Sequence, residues 1–132
     1  MNYKDLKSKI LIIAFSDDIY KFHYALTIAS TLSAIEKKVS IFISGYACNY
    51  IRKDWEKYSS KKTTNKFIEK KMPTLNELFK YCKDLNVNLY FCETALNFLN
   101  IEKSNLIDSI QLQPLGMYAI LNEYKKDQLV FI

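Results

Sequence analysis

Apolar and polar positions follow two rhythms along this chain. Residues 9–15, KILIIAF, form an apolar run of strand length. Such a run suits a strand buried on both faces, as in a parallel sheet. Ser16, Asp17 and Asp18 follow, and residues of this kind cap helix N-termini. Ile19, Phe22, Leu26, Ala29 and Leu32 then recur at helical spacing and predict an amphipathic helix over 18–36. VSIFIS, 39–44, predicts the second strand, which Gly45 ends. Residues 47–58 read as helical and 59–66 as a loop. Pro73-Thr74 starts another helix, with Leu75, Leu78, Phe79 and Cys82 as its apolar stripe. Residues 88–92 predict the third strand and 93–99 a helix. SIQLQP predicts a short fourth strand near 109–112, and Pro114 suits the first turn of a helix over 114–124. QLVFI closes the chain as the fifth strand. Strands alternating with helices imply an α/β fold, a three-layer α/β/α sandwich on a five-stranded, mainly parallel sheet. Residues 1–132 read as one domain with a basic, partly irregular segment at 47–73.

Composition narrows the class. Two Gly and two Pro in 132 residues exclude a low-complexity or disordered chain. No apolar run is long enough to span a bilayer. The opening MNYKDLKSKILIIAFSDD places basic residues before an apolar run, but Asp17-Asp18 stand where a signal peptide needs small residues. The run therefore reads as a strand, and the expected location is cytoplasmic. Charge is uneven. Residues 52–71 hold eight Lys/Arg against three Asp/Glu, which accounts for the whole net charge of +5. This segment can contact an acidic partner, although a solvated face explains the charge equally simply. Trp55, Tyr58 and Phe67 are interleaved with it and either stack on bases or pin the segment to the core. Nucleic-acid binding is disfavoured.

Candidate chemistry concentrates at the carboxyl ends of the strands, where parallel sheets bind ligands. That edge collects Ser16, Asp17, Asp18, Gly45, Cys92, Glu93, Thr94 and Gly116, with Met117 and Tyr118 just beyond. Cys48, Cys82 and Cys92 form neither a CxxC pair nor a zinc pattern, so no metal is expected, and at least one thiol is free. Cys82 lies on an apolar helix stripe and reads as a core residue. Cys48 reads as a buried loop cysteine, or as a resolving thiol if it reaches Cys92. Cys92 sits where a strand meets a helix, and the first turn of a helix favours a thiolate. Glu93 opposes it with an adjacent negative charge. On position alone, reactive and structural roles for Cys92 stand level. His23 reads as a packed or solvated helix residue, and Asp17-Asp18 as caps. FSDDIY contains no glycine-rich phosphate cradle, so no nucleotide cofactor is expected.

ILIIAFSDDIYKFHYALTIASTLSAIEKKVSIFISGYA, followed by VNLYFCETALNFLNI, resembles the DsrE/DsrF-like family, which includes TusD-type sulfur-relay proteins. The resemblance implies a parallel α/β/α sandwich and a homo-oligomer, trimeric or hexameric. It further implies a persulfide-carrying cysteine directly after a central strand, then two residues and an Ala. Cys92, Ala95 and Leu96 match. Asn100 occupies the family's Gly position, and Asn tolerates the left-handed backbone needed there. The expectation is a relay component that takes sulfane sulfur from a donor protein and passes it to an acceptor. The competing expectation is a non-catalytic, oligomeric small-ligand-binding or interaction module with Cys92 structural. A phospho-acceptor receiver is disfavoured, because Cys92 stands where an acceptor Asp would be wanted.

Overall fold

Five apolar segments form a single all-parallel sheet in the computed structural model, which describes residues 9–57 and 61–132. The strands are β1 (Lys9–Ala14), β2 (Lys38–Ile43), β3 (Asn88–Phe91), β4 (Leu112–Pro114) and β5 (Gln128–Phe131). Their spatial order is β4-β3-β2-β1-β5. The helices are α1 (Ile19–Ala34), α2 (Lys61–Glu69), α3 (Leu75–Asp84), α4 (Glu93–Phe98) and α5 (Met117–Glu123). Among the described residues, no helix is long and apolar enough to cross a membrane.

Connection handedness explains the layering. Steps from β1 to β4 all move the same way across the sheet, and right-handed crossovers put their helices on one face. Only the return from β4 to β5 runs the other way, which leaves α5 alone on the opposite face. Packing follows this division. Ile10, Ile12, Ile41, Ile43, Leu89 and Phe91 bury against α1, α3 and α4. Leu11, Ile13 and Phe42 bury against Ile120 of α5 and Tyr124, its C-cap. That second face is thin. Leu129 and Phe131 lie in register with Leu11 and Ile13, yet both are exposed.

Local signals set the helix ends. The Asp18 side chain accepts from Lys21 N–H at 3.0 Å, capping α1. Thr74 and Glu77 form a reciprocal capping box on α3. At the C-terminal ends, Glu36, Lys71, Asn86 and Asn100 all take positive φ, and the next residue's N–H returns to a carbonyl five positions back. This closure usually belongs to glycine. Glu36 has no side-chain reason to adopt it, so Glu36→Gly is expected to stabilise the protein by about 1 kcal/mol. Thermal melting checks the sign, and a lower midpoint would count against stored strain there.

Four expectations are corrected. Residues 61–66 are helical, not loop, whereas 59–60 and Tyr58 lie outside the described residues. The fourth strand occupies 112–114 rather than 109–112. Pro114 ends that strand instead of opening a helix, and Gly116 is the N-cap of α5. Residues 45–51 and 55–57 form 3-10 turns where a longer helix was expected. Trp55 and Phe67 are buried, so both pin the basic segment to the core and neither is open for base stacking. His23 fixes this segment as well. Its ring lies 4.2 Å from Phe67, and its Nε2 is 2.8 Å from the Pro73 carbonyl. Arg52 and the Asn105 amide both bond Asp54, and the Asn105 bond foremost holds that carboxyl below its ordinary range.

Candidate functional site

Register aligns the strand ends. Ala14, Ile43, Phe91 and Pro114 pair in one row across β1, β2, β3 and β4. One residue further on, Phe15, Ser44, Cys92 and Leu115 form the carboxyl rim. The chain leaves β3 toward α4 on one face and leaves neighbouring β4 toward α5 on the other. Adjacent strands that part in this way open a crevice, and it is there that parallel sheets hold ligands. Cys92 stands at this point and packs partly against both core clusters.

Backbone bonds fix Cys92. Its N–H donates to the Ile43 carbonyl at 3.0 Å, extending the β2–β3 ladder by one residue. Its own carbonyl accepts from Leu96 N–H at 3.2 Å, so it is the N-cap of α4. Asn100 closes that helix with φ 56°, as the left-handed turn requires. Glu93 does not act as an isolated charge beside the thiol. Its carboxylate pairs with Lys103 Nζ at 3.1 Å, at the surface.

The three thiols differ sharply. Cys82 is buried on the α3 stripe, and burial pushes it up to about 12. Cys48 is buried under the rim, with its Sγ 3.5 Å from the same Ile43 carbonyl that Cys92 bonds. Burial first, and then charge on Cys92, push Cys48 up to about 12. Cys92 alone is partly exposed. Native alkylation at mildly alkaline pH is therefore expected to modify Cys92 and spare the other two. Peptide mapping checks this, and a native Cys92 that resists iodoacetamide would favour the structural role. The raised values also set a sign. Both buried thiols favour the folded state fully below about pH 9, and that contribution is lost as pH rises toward 12.

Two grooves meet at Cys92. One, of about 370 Å³, runs past Ser44 and Gly45 between Phe15, Tyr46 and Phe98, with Thr94 and Ala95 below. The other, of about 340 Å³, lies between Glu93-Thr94 and Pro114–Met117. Gly45 builds the first groove. Its φ is +52°, and a Cβ there would lie 2.4 Å from the Phe15 ring. Gly45, Cys92, Glu93, Thr94, Gly116 and Met117 therefore line these grooves. Ser16, Asp17 and Asp18 lie outside both: Ser16 accepts from the Asp18 N–H at 3.1 Å, Asp18 caps α1, and the Asp17 carbonyl accepts from the Tyr50 hydroxyl. Tyr118, 83% exposed, is the most exposed large hydrophobic side chain among the described residues and lines neither.

The family model of the DsrE/DsrF-like family matches residues 9–131. The chain belongs to the DsrE/DsrF-like family. No functionally curated protein matches the sequence. Three solved structures share the fold of this DsrE/DsrF-like chain. The YchN protein of E. coli is 12% identical with a TM-score of 0.63, over 96% of this chain and 99% of that one. A conserved protein of unknown function from Bacteroides thetaiotaomicron is 13% identical with a TM-score of 0.64, over 95% of each. A protein of unknown function from Methanobacterium thermoautotrophicum is 11% identical with a TM-score of 0.62, over 96% and 100%.

Sequence reasoning passed over three groove residues of this DsrE/DsrF-like domain. Phe15 reads as the last apolar residue of β1, Tyr46 falls between Gly45 and the irregular segment at 47–73, and Phe98 reads as a helix residue. Their common signal is an aromatic within a few residues of a strand end or a reactive-cysteine candidate. The sequence does not say which way such a ring faces.

Proposed function

We propose that this DsrE/DsrF-like protein is a component of an intracellular sulfur relay and carries sulfane sulfur as a persulfide on Cys92. One observation carries the reading. Of three thiols, only Cys92 reaches solvent, and it does so at the crevice where β3 and β4 part, with a groove on either side. In the proposed cycle the Cys92 thiolate attacks a donor's sulfane sulfur and holds it as the outer persulfide sulfur. An acceptor thiol then attacks that outer sulfur, and Cys92 is returned as the leaving group.

A cytoplasmic location accords with three free cysteines, because thiols persist in reducing compartments. We further propose that the protein acts as a homo-oligomer, a trimer or hexamer, with the thinly covered face at the contact. Exposed Leu129, Leu121 and Tyr118 on β5 and α5 support this. The exposed lysines Lys62 and Lys66 of α2, with Lys70 just after it, suit an acidic donor or acceptor protein.

The test is direct sulfur loading. Incubated with a cysteine desulfurase and cysteine, the native protein is expected to gain about 32 Da per sulfur and to lose it on reduction. Mapping should place the adduct on Cys92. A protein that emerges unmodified, while a known carrier is loaded in the same mixture, would sink the relay reading.

A further inference from the structure

The groove on the Gly45 side of Cys92 is aromatic and uncharged. Phe131 stacks on Phe15 at 5.9 Å between centroids, Phe15 meets Tyr46 edge-on at 6.2 Å, and Tyr46 meets Phe98 edge-on at 6.2 Å. All four rings are exposed, Phe98 at 72%. A contiguous apolar surface of this kind is unusual on a soluble domain and marks a binding groove. Among the described residues that line it, none is a Lys, Arg, Asp or Glu. Among the described residues, the groove beyond Cys92 holds one ionisable side chain besides the thiol, Glu93, already paired with Lys103. Among the described residues, no Lys or Arg lines either groove.

This lining discriminates between sulfur donors. An anionic donor would shed hydration at Cys92 with no cation to replace it. A donor bearing an alkyl or aryl group would gain contact with the rings instead. The groove's volume of about 370 Å³ is that of a small-ligand site.

We propose that, among low-molecular-weight sulfur donors, the protein selects uncharged organic persulfides with an alkyl or aryl group, which the aromatic groove binds beside Cys92. The proposal rests on the relay reading of Cys92. In the step, Cys92 sulfur attacks the outer sulfur of R–S–SH. The new S–S bond joins Cys92 to that sulfur as the bond within the donor breaks. The electron pair leaves on R–S, which takes the proton given up by Cys92. The products are the Cys92 persulfide and R–SH, with no net oxidation and no further reactant.

The experiment compares benzyl hydropersulfide with glutathione hydropersulfide at equal concentration. Loading of the native protein is followed by mass, and each rate is divided by that of an unstructured cysteine peptide. The expected result is a preference of about tenfold or more for the benzyl donor, the size set by burying one aromatic group. Phe98→Lys, at an exposed position, should shrink the preference several-fold. Equal normalised rates, or a preference that Phe98→Lys leaves intact, would overturn the proposal while the relay reading stands. If neither donor nor the desulfurase loads Cys92, the relay reading falls. The groove is then judged by equilibrium binding of benzyl methyl disulfide to Cys92→Ser. Saturable binding weakened by Phe98→Lys supports the groove as an apolar ligand site, and no saturable binding overturns it.

Discussion

Cys92→Ser is expected to abolish sulfur loading entirely while leaving the fold intact. A serine oxygen cannot hold sulfane sulfur as a persulfide, so the loss is complete rather than partial. The substitution should not unfold the protein, because the bonds that fix this residue are backbone bonds, to the Ile43 carbonyl and from the Leu96 N–H. Serine is also a preferred N-cap, and in place of a residue whose side chain makes no cap bond it is worth up to about 1 kcal/mol. An unchanged or slightly raised melting point should therefore accompany the lost loading. Cys48→Ala and Cys82→Ala are the contrast. Both thiols are buried and raised to about 12, so both variants should lose stability and keep loading. Equal loading of Cys92→Ser and wild type would end the case for Cys92. Loading that fails only in Cys48→Ala, measured on folded protein, would move the carrier role to the buried thiol.

Legibility in the sequence followed the strength of burial. β1 and β2 were plain because each is apolar on both faces, and α3 was plain because its stripe is buried without exception. α2 left little trace, since Phe67 is its one buried residue among those described and a single aromatic makes no period. β4 was displaced for a related reason. Ile110 is buried against the main core and imitates a strand residue, whereas the strand itself keeps only Leu112 partly buried. Pro114 is tolerated there because β4 is an edge strand. The candidate thiol was legible from its place between a strand and a helix. Its position at the crevice was not, because that depends on strand order, and nothing in QLVFI says that β5 returns to lie beside β1. The aromatic groove was hidden too, since the Phe15 ring lies over Gly45 in space that any side chain there would fill.

Phe22→Ala is expected to cost about 3–5 kcal/mol, the range for removing a buried phenylalanine. That is a large share of the roughly 5–15 kcal/mol available to a domain of this kind. Phe22 warrants the upper part of the range because of what it joins. Its ring lies 5.4 Å from Tyr50 and 5.9 Å from Phe79, so one side chain links α1 to the 45–51 turn and to α3. Neighbouring Ile12 and Leu26 are fully buried, Ile12 within the sheet, which limits how far the gap can close. Part of the turn would hold, because the Tyr50 hydroxyl donates to the Asp17 carbonyl without help from Phe22. The same turn carries Gly45 and Tyr46, so its loosening should reach the groove beside Cys92 before global unfolding does. Urea titration is expected to show a lower midpoint with an unchanged slope. Hydrogen exchange should show the 45–51 turn losing protection ahead of β1 and β2. Phe98→Ala, which truncates an exposed ring, should stay within about 0.5 kcal/mol of wild type. A Phe22→Ala cost near that small value would mean that Tyr50 and Phe79 collapse over the gap, and that the turn beneath the groove is not anchored through α1.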